Sequence, residues 1–214
     1  ASPESTKKMV EMGLSVSVQT TAGDKSNFSD ESYAASGAEI FENTTEIANA
    51  DIVIRVNKPT NEEISSMRDG ALFIGSLDPY NSNETICNLK EKGVTSFAME
   101  LMPRITRAQS MDILSSQSNL AGYKAVIDAT YLFNKAIPMM MTAAGTIAPA
   151  KVMVFGAGVA GLQAIATAKR LGAIVSATDV RMAAKEQVES LGGKFVMVED
   201  SESLDAETSG GYAK

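Results

Sequence analysis

Short β-branched runs alternate with longer amphipathic stretches along this chain, and that alternation restricts its fold more than any other feature. Strands that alternate with helices are typical of βαβ units built around a parallel sheet. In the first hundred residues the pattern predicts strands at Leu14–Thr20, Asp51–Val56, Ala71–Ser76 and Val94–Met99, with helices between them. The sequence therefore predicts an α/β protein.

One long helix and a second βαβ pattern follow. Apolar residues recur at helical spacing from Ser110 to about Lys135. The small residues of Ala143–Ala150 include a glycine and a proline, which predicts a hinge. Beyond the hinge, we expect strands at Val152–Phe155, Ile174–Thr178 and Phe195–Val198. Three strands make one mononucleotide-binding half of a doubly wound sheet, so we expect this domain to be incomplete.

Composition excludes several classes of function. The chain has 214 residues and a net charge of −7, which is opposite to the basic surface that nucleic acids select. No apolar run is long enough to span a membrane, so we expect no direct membrane insertion of this segment. The single cysteine excludes an internal disulfide and a cysteine-cluster metal site. The chain also has no histidine, so a mechanism that moves protons would need lysine, tyrosine or a carboxylate.

A glycine fingerprint, G-x-G-x-x-G, lies between a predicted strand and a predicted helix at Gly156–Gly161. In dinucleotide-binding folds Gly156 would make the tight turn, Gly158 would let the backbone approach a pyrophosphate, and Gly161 would let helix and strand pack closely. The pyrophosphate would lie at the positive end of the helix dipole.

Asp179 follows the next predicted strand, 18 positions after Gly161. A carboxylate there accepts hydrogen bonds from the adenine ribose and repels a 2′-phosphate, which favours NAD(H) over NADP(H). Arg181 keeps NADP(H) open, because a guanidinium can receive that phosphate. A second alternative is that the glycines only permit the turn and that Asp179 caps a helix.

A polar cluster precedes the long helix at Pro103–Asn119, at the carboxyl edge of the first predicted sheet. Ligands of open α/β folds bind at such an edge. Arg104 and Gln109 could reach a phosphate and an amide of a nicotinamide dinucleotide. Helical spacing places four further polar residues on one face: Asp112, Ser115, Ser116 and Asn119. The alternative is that Ser110 caps the helix and the other residues are solvated.

These segments resemble the NAD(H)-binding domain of proton-translocating nicotinamide nucleotide transhydrogenase. The resemblance rests on the Pro103–Tyr123 loop and helix, on Met141–Gly145, on the Gly156–Gly161 fingerprint and on Ala177–Arg181. It implies two Rossmann-like, doubly wound parallel-sheet domains joined by a long helix, both incomplete. The expected limits are 1–120 for the first domain, 121–150 for the connecting helix and hinge, and 151–214 for the first half of the NAD-binding Rossmann domain.

The resemblance also implies roles for individual residues. The residues that would hold the nicotinamide end of NADH are Arg104, Gln109, Asp112 and Ser115. The residues that would contact the pyrophosphate are Ala157, Gly158 and Val159, within the fingerprint that also includes Gly156 and Gly161. The residues that would surround the adenosine are Asp179, Val180, Arg181 and, near the adenine, Gly211. No metal is implied.

The activity implied by the resemblance is direct hydride transfer between NADH here and NADP⁺ on a separate NADP(H)-binding domain, coupled by a transmembrane proton-channel domain to proton passage. Positioning two rings requires no proton transfer, so a chain without histidine suits this chemistry. The resemblance further implies a homodimer and a peripheral place on the cytoplasmic or matrix-like side of a membrane complex. Against the family pattern, we expect the amino-terminal strand, the loop that closes over NADH and the second half of the dinucleotide sheet to be absent.

Two other functions are compatible with the fold. Alanine dehydrogenase is related, but it needs a substrate-binding lysine and a catalytic histidine in its first domain. Asn57 stands where that lysine would be, and the chain has no histidine. A non-enzymatic NAD-sensing module would use the same pocket, and sequence alone does not separate it from the transhydrogenase.

Overall fold

The computed structural model describes residues 1–42, 44–103 and 105–197. Its contacts divide the chain into two compact units, Ala1–Met102 and Pro103–Lys214. The helices are α1 Pro3–Glu11, α2 Asp30–Ala34, α3 Asn61–Ser66, α4 Asn83–Glu91, α5 Ile113–Leu132, α6 Val159–Arg170 and α7 Ala184–Ser190. The strands are β1 Ser17–Gln19, β2 Glu39–Phe41, β3 Ile52–Ile54, β4 Leu72–Gly75, β5 Thr95–Ala98, β6 Met140–Thr142, β7 Gly145–Ile147, β8 Lys151–Phe155, β9 Ile174–Thr178 and β10 Lys194–Phe195. Short 3-10 turns occupy Asp24–Ser26, Thr44–Asn49, Met99–Leu101 and Thr106–Met111.

The first unit contains two parallel sheets. Strand β1 pairs with β2, and the second sheet has the order β3-β4-β5. Phe73 of the central strand β4 is completely buried, and Met67 and Leu89 from the flanking helical segments pack in the same apolar core. Helix α3 begins with a capping box, in which Thr60 and Glu63 each accept a hydrogen bond from the other's backbone amide.

The second unit contains a parallel sheet with the order β10-β9-β8 and an antiparallel hairpin of β6 and β7. Ile165 of α6, Ala177 of β9 and Val188 of α7 are completely buried in one core. Val126 of α5 packs against this core. Helices α6 and α7 thus cover the sheet together with part of α5.

The expected α/β class with parallel sheets is confirmed, and each predicted strand has a counterpart. The four predicted strands of the first unit are present in shorter form, β8 begins one residue earlier than predicted, β9 has the predicted limits, and β10 overlaps its prediction only at Phe195. Strand β2 and the β6–β7 hairpin were not predicted, and α5 begins at Ile113 rather than at Ser110 because a 3-10 turn precedes it. The hinge at Ala143–Ala150 stays a prediction. The domain limits at residues 120 and 150 stay predictions. Among the described residues, no helix combines the length and the apolar character that a membrane span requires.

Candidate functional site

The register of β8 and β9 brings the glycine turn and Asp179 together. Phe155, the last residue of β8, pairs with Thr178, the last residue of β9. The two parallel strands therefore end level, and the residues that follow them leave the sheet side by side. The Gly156 amide donates a hydrogen bond to the Thr178 carbonyl oxygen over 2.8 Å, which continues the ladder into the turn.

Two glycines of the fingerprint are required by the backbone geometry. Gly156 has a φ of +90°, a conformation that side chains with a Cβ rarely adopt. A Cβ on Gly161 would lie 1.8 Å from the Gly156 carbonyl oxygen, far inside van der Waals contact. This geometry agrees with the expected roles: Gly156 makes the tight turn, and Gly161 lets α6 pack closely against β8.

Gly158 differs from both of its neighbours in the fingerprint. It is the N-cap residue of α6 with a φ of −74°, and a Cβ built on it would meet no described residue within 4 Å. No side chain caps α6 among the described residues. Because the first amides of a helix have no partner within the helix, this end carries N–H groups and a positive dipole that no described side chain caps. Such an arrangement suits an anion such as a pyrophosphate.

Asp179 is more buried than Arg181, the other charged residue at this turn. Its side chain is 6 % exposed, and its Oδ2 accepts a hydrogen bond from the Ala157 amide over 2.7 Å. Hydrogen bonds from the Arg181 side chain, opposed by burial and supported by the backbone amides of Arg181 and Ala157, lower the pKa of Asp179 to about 2. Asp179 is therefore ionised at neutral pH. The alternative that it caps a helix is wrong, since the N-cap residue of α7 is Ala183.

The polar cluster before α5 is organised around Asp112. Asp112 is the N-cap residue: its Oδ1 accepts from the Ser115 amide over 2.9 Å, and its Oδ2 accepts from the Ser115 hydroxyl over 2.6 Å. The alternative that Ser110 caps this helix is wrong, because Ser110 lies in the 3-10 turn. Two of the predicted nicotinamide residues thus bond to each other, and Gln109 is exposed in the turn. Arg104 lies outside the described residues.

Helices α5 and α6 touch through their backbones. Gly122 is buried in α5, and a Cβ on it would lie 2.0 Å from the carbonyl oxygen of Ala160 in the first turn of α6. Asp112 is ten residues before Gly122, or about 15 Å along the helix axis at 1.5 Å per residue. The polar cluster at Asp112 therefore lies about 15 Å along α5 from the point where α5 contacts the first turn of α6.

The remaining predicted residues have varied environments. Ser116 and Asn119 are exposed, whereas Asp112 and Ser115 are half-buried, so the predicted polar stripe is only partly solvated. Val159 and Val180 are exposed beside the turn, at 38 % and 54 %. Gly211 lies outside the described residues. Among the described residues, no group of acidic, cysteine or histidine side chains is arranged to hold a metal ion.

Sequence reasoning missed two features of this site. One is the contact of Gly122 with Ala160, which an isolated glycine inside a helical pattern could have signalled. The other is the pairing of Asp179 with Arg181, since Arg181 Nε and Nη2 donate to the two carboxylate oxygens over 2.9 and 3.0 Å. The sequence pattern indicates Arg181 only as a partner of a phosphate.

Fold and site together define a protein with a dinucleotide-type turn on one of two α/β units, and family comparison agrees. Residues 1–121 match the model described as "Alanine dehydrogenase/PNT, N-terminal domain", and residues 125–209 match "Alanine dehydrogenase/PNT, C-terminal domain". The chain belongs to this alanine dehydrogenase/PNT family.

Within the family, the chain is more similar to transhydrogenases than to alanine dehydrogenases. It is 54 % identical to an NAD(P) transhydrogenase subunit alpha polypeptide of Rhodospirillum rubrum, over all of this chain and 57 % of the relative. It is 31 % identical to "Alanine dehydrogenase 2" of Staphylococcus aureus, over 90 % of this chain and 52 % of that one. The solved transhydrogenase of Sinorhizobium meliloti superposes with a TM-score of 0.89 at 57 % identity, over 92 % of this chain and 59 % of that chain. The chain thus spans less than three fifths of the length of these relatives.

Proposed function

We propose that this chain is the NAD(H)-binding component of a proton-translocating NAD(P) transhydrogenase. The observation that carries the proposal is the open end of α6, where Gly158 leaves free space and uncapped amides beside the Ala157–Asp179 contact. The similarity to transhydrogenase α subunits supports it. The partners would be an NADP(H)-binding domain and a transmembrane proton-channel domain of the same enzyme.

The residues at the turn fit an NAD(H) molecule. The amides of the first turn of α6 would bind the pyrophosphate, because they point along the positive end of the helix dipole. Asp179, ionised at neutral pH, would accept hydrogen bonds from the adenine ribose hydroxyls. Ala157, Val159, Val180 and Arg181 would line the same pocket, and Gly211 would contact the adenine end.

The polar cluster at the start of α5 would orient the nicotinamide. When bound, reduced nicotinamide supplies a hydride to the C4 atom of a second nicotinamide, without a proton transfer. Gln109 would hold the carboxamide, while Asp112 and Ser115, already bonded to each other, would keep the loop in place beside it. Arg104 would complete this set. The chain contributes position rather than acid or base chemistry.

Nucleotide titration is the direct test of binding. Calorimetry of the full-length subunit with NADH and with NADPH should give saturable binding of NADH and at least tenfold weaker binding of NADPH. Equal affinity for the two nucleotides would contradict the part assigned to Asp179, and the absence of NADH binding would overturn the proposal.

A hydride-exchange assay tests the activity and separates it from a purely sensory function. The full-length subunit, mixed with an NADP(H)-binding partner domain, should transfer hydride between NADH and an NADP⁺ analogue. Gln109→Ala should slow single-turnover transfer more than it weakens NADH binding. Gln187→Ala, at an exposed glutamine on α7, is the matched control and should change neither quantity. An unchanged transfer rate in Gln109→Ala would show that the assigned orienting role is wrong.

We further propose that the working protein is a homodimer. It would be a peripheral part of a membrane complex, on the cytoplasmic side in a bacterium or the matrix side in an organelle. Sedimentation of the full-length subunit tests the dimer, and co-purification with its membrane partner tests the attachment.

A further inference from the structure

The first turn of α6 is packed between two stretches of backbone. On one side, a Cβ on Gly122 of α5 would lie 2.0 Å from the Ala160 carbonyl oxygen and 2.8 Å from the carbon of the same group. On the other side, a Cβ on Gly161 would lie 1.8 Å from the Gly156 carbonyl oxygen. Ala160 and Gly161 are consecutive residues, so both contacts are made at the same level of α6. The order of contact is therefore α5, then α6, then the glycine turn.

These contacts lie between the two sets of groups that the proposed function assigns to NADH. The pyrophosphate amides and Asp179 belong to the glycine turn, to α6 and to the end of β9, which the strand register and the bond to Ala157 hold together. Asp112 and Ser115, in contrast, belong to the start of α5. Both sets are part of the unit Pro103–Lys214. The packing of α5 on α6 thus determines where one set lies relative to the other.

A side chain at position 122 would change this packing without touching either set. The three nearest described atoms that a Cβ would meet are backbone atoms of Ala160, which cannot turn aside as the end of a side chain can. Ordinary van der Waals contact begins at 3.4 Å, so the two backbones would have to separate by about 1.4 Å. The glycine turn would stay with α6, because Gly161 would still pack against Gly156. The pyrophosphate site would therefore remain intact while α5 moves away from it.

On this basis, and resting on the proposed function, we propose that Gly122 is a positioning residue for hydride transfer. It acts through α5, by keeping the nicotinamide-orienting groups at the correct distance from the pyrophosphate site, and it does not contact NADH itself. Hydride transfer depends steeply on the placement of the reacting atoms, since a misplacement of about 1 Å can cost about a hundredfold in rate. Affinity depends also on the pyrophosphate and adenosine contacts, which do not involve α5. Gly122 thus affects the rate more than the affinity.

The test uses the full-length subunit together with an NADP(H)-binding partner domain. Calorimetry measures NADH affinity, and a single-turnover assay measures hydride transfer from NADH to an NADP⁺ analogue. Gly122→Ala should slow transfer by at least about tenfold, and by a larger factor than it weakens NADH binding. A smaller slowing would overturn the proposal. A loss of affinity as large as the loss of rate would also overturn it, because general damage to the site lowers both.

Gly172→Ala is the matched control, because it strains the opposite end of α6. Gly172 has a φ of +89°, and a Cβ on it would lie 2.8 Å from the Cβ of Pro138. Helix α6 has 12 residues, so this position is about 18 Å from the first turn. Gly172→Ala should lower the free energy of unfolding and leave both transfer and NADH affinity unchanged. A slowing as large as that in Gly122→Ala would attribute the effect to lost stability and overturn the proposal.

A gentler variant serves where Gly122→Ala does not fold. Val126 lies one turn further along the same face of α5 and packs against the core that α6 shares, so Val126→Ile adds one methylene there. Transfer should again slow more than NADH binding weakens, and unchanged transfer would overturn the proposal. Failure of the unmodified protein to bind NADH or to transfer hydride would overturn the proposed function. Normal activity of the unmodified protein, with unchanged transfer in these variants, would overturn only the inference about Gly122.

Discussion

Helices α5 and α6 belong to the same unit, yet their amino-terminal ends are built in opposite ways. The start of α5 is closed by a side chain, because both carboxylate oxygens of Asp112 bond to Ser115. The start of α6 has glycine at the N-cap position, and no side chain in the part of the chain that the structure describes caps it. A capped end stabilises the protein itself, whereas an uncapped end keeps its amides for another molecule. The difference is what the proposed function requires of the α6 end, since a pyrophosphate would bind amides that no side chain occupies.

The largest loss of stability is expected from filling the space that Gly161 leaves between α6 and the turn. Gly161→Ala places a Cβ 1.8 Å from the Gly156 carbonyl oxygen, so α6 would have to move away from β8. We expect the free energy of unfolding to fall by about 3 kcal/mol, at the upper end of the usual cost of overpacking. Urea denaturation of the chain measures this change. A loss below about 1 kcal/mol would show that α6 can shift at little cost.

The second prediction concerns the pH dependence of the free energy of unfolding that Asp179, beside the start of α6, causes. The pKa of Asp179 is lowered to about 2 in the folded chain from a usual value of 3.8. Because the folded pKa is the lower one, the stabilisation is complete above pH 4 and is lost as the pH falls from about 4 to 2. After allowance for solvent screening, we expect Asp179 to contribute about 1–2 kcal/mol.

The measurement is urea denaturation of the unmodified chain and of Asp179→Asn between pH 7 and pH 2. The difference between the two should be constant down to about pH 4 and should then shrink. A difference that does not depend on pH would mean that the charge of Asp179 is not what stabilises the turn.

The cap of α5 should matter less for stability. Asp112→Ala removes the acceptor of the Ser115 amide and should cost about 1 kcal/mol, the usual value for an N-cap. Asp112→Asn keeps an acceptor oxygen and should cost only a few tenths of a kcal/mol. Thermal or urea unfolding distinguishes the two variants. Equal losses would indicate that the charge, rather than the capping hydrogen bond, is what α5 requires.

The smallest effect on stability is expected at the open end itself. Gly158→Ala adds a Cβ into free space at an ordinary φ and should cost about 0.5 kcal/mol, because alanine is a poorer N-cap residue than glycine. The added methyl group would meet the pyrophosphate, so NADH affinity should fall at least tenfold. Titration and denaturation of the same preparation report both quantities. Unchanged affinity would place the pyrophosphate elsewhere.

The features of the site that depend on local sequence were predictable. A strand, three spaced glycines and a helix occur in one continuous segment, so the turn at Gly156–Gly161 followed from the pattern alone. The start of α5 was less certain, because Ser110 and Asp112 are both good N-cap residues and only the backbone selects between them. Strand β2 was missed since its three residues form no recognisable run.

Features that depend on distant residues were not predictable from the pattern. The close approach of Gly122 to Ala160 joins two helices 38 positions apart in the sequence. The bonds between Arg181 and Asp179 depend on a side-chain conformation that spacing does not specify. The apolar spacing of α5 did not predict which of its residues are buried. Leu120 and Leu132 follow that spacing, yet they are 59 % and 74 % exposed.

Because Gly122 contacts the backbone of Ala160, the position of Asp112 depends on the angle at which α5 crosses the first turn of α6. At that point, the backbone of α5 lies directly against the backbone of α6. Asp112 is about 15 Å from this crossing, so a difference of about 10° in the crossing angle corresponds to a displacement of Asp112 by about 2.5 Å. A small change in slope at the crossing would thus be magnified into nearly the length of a hydrogen bond at the far end.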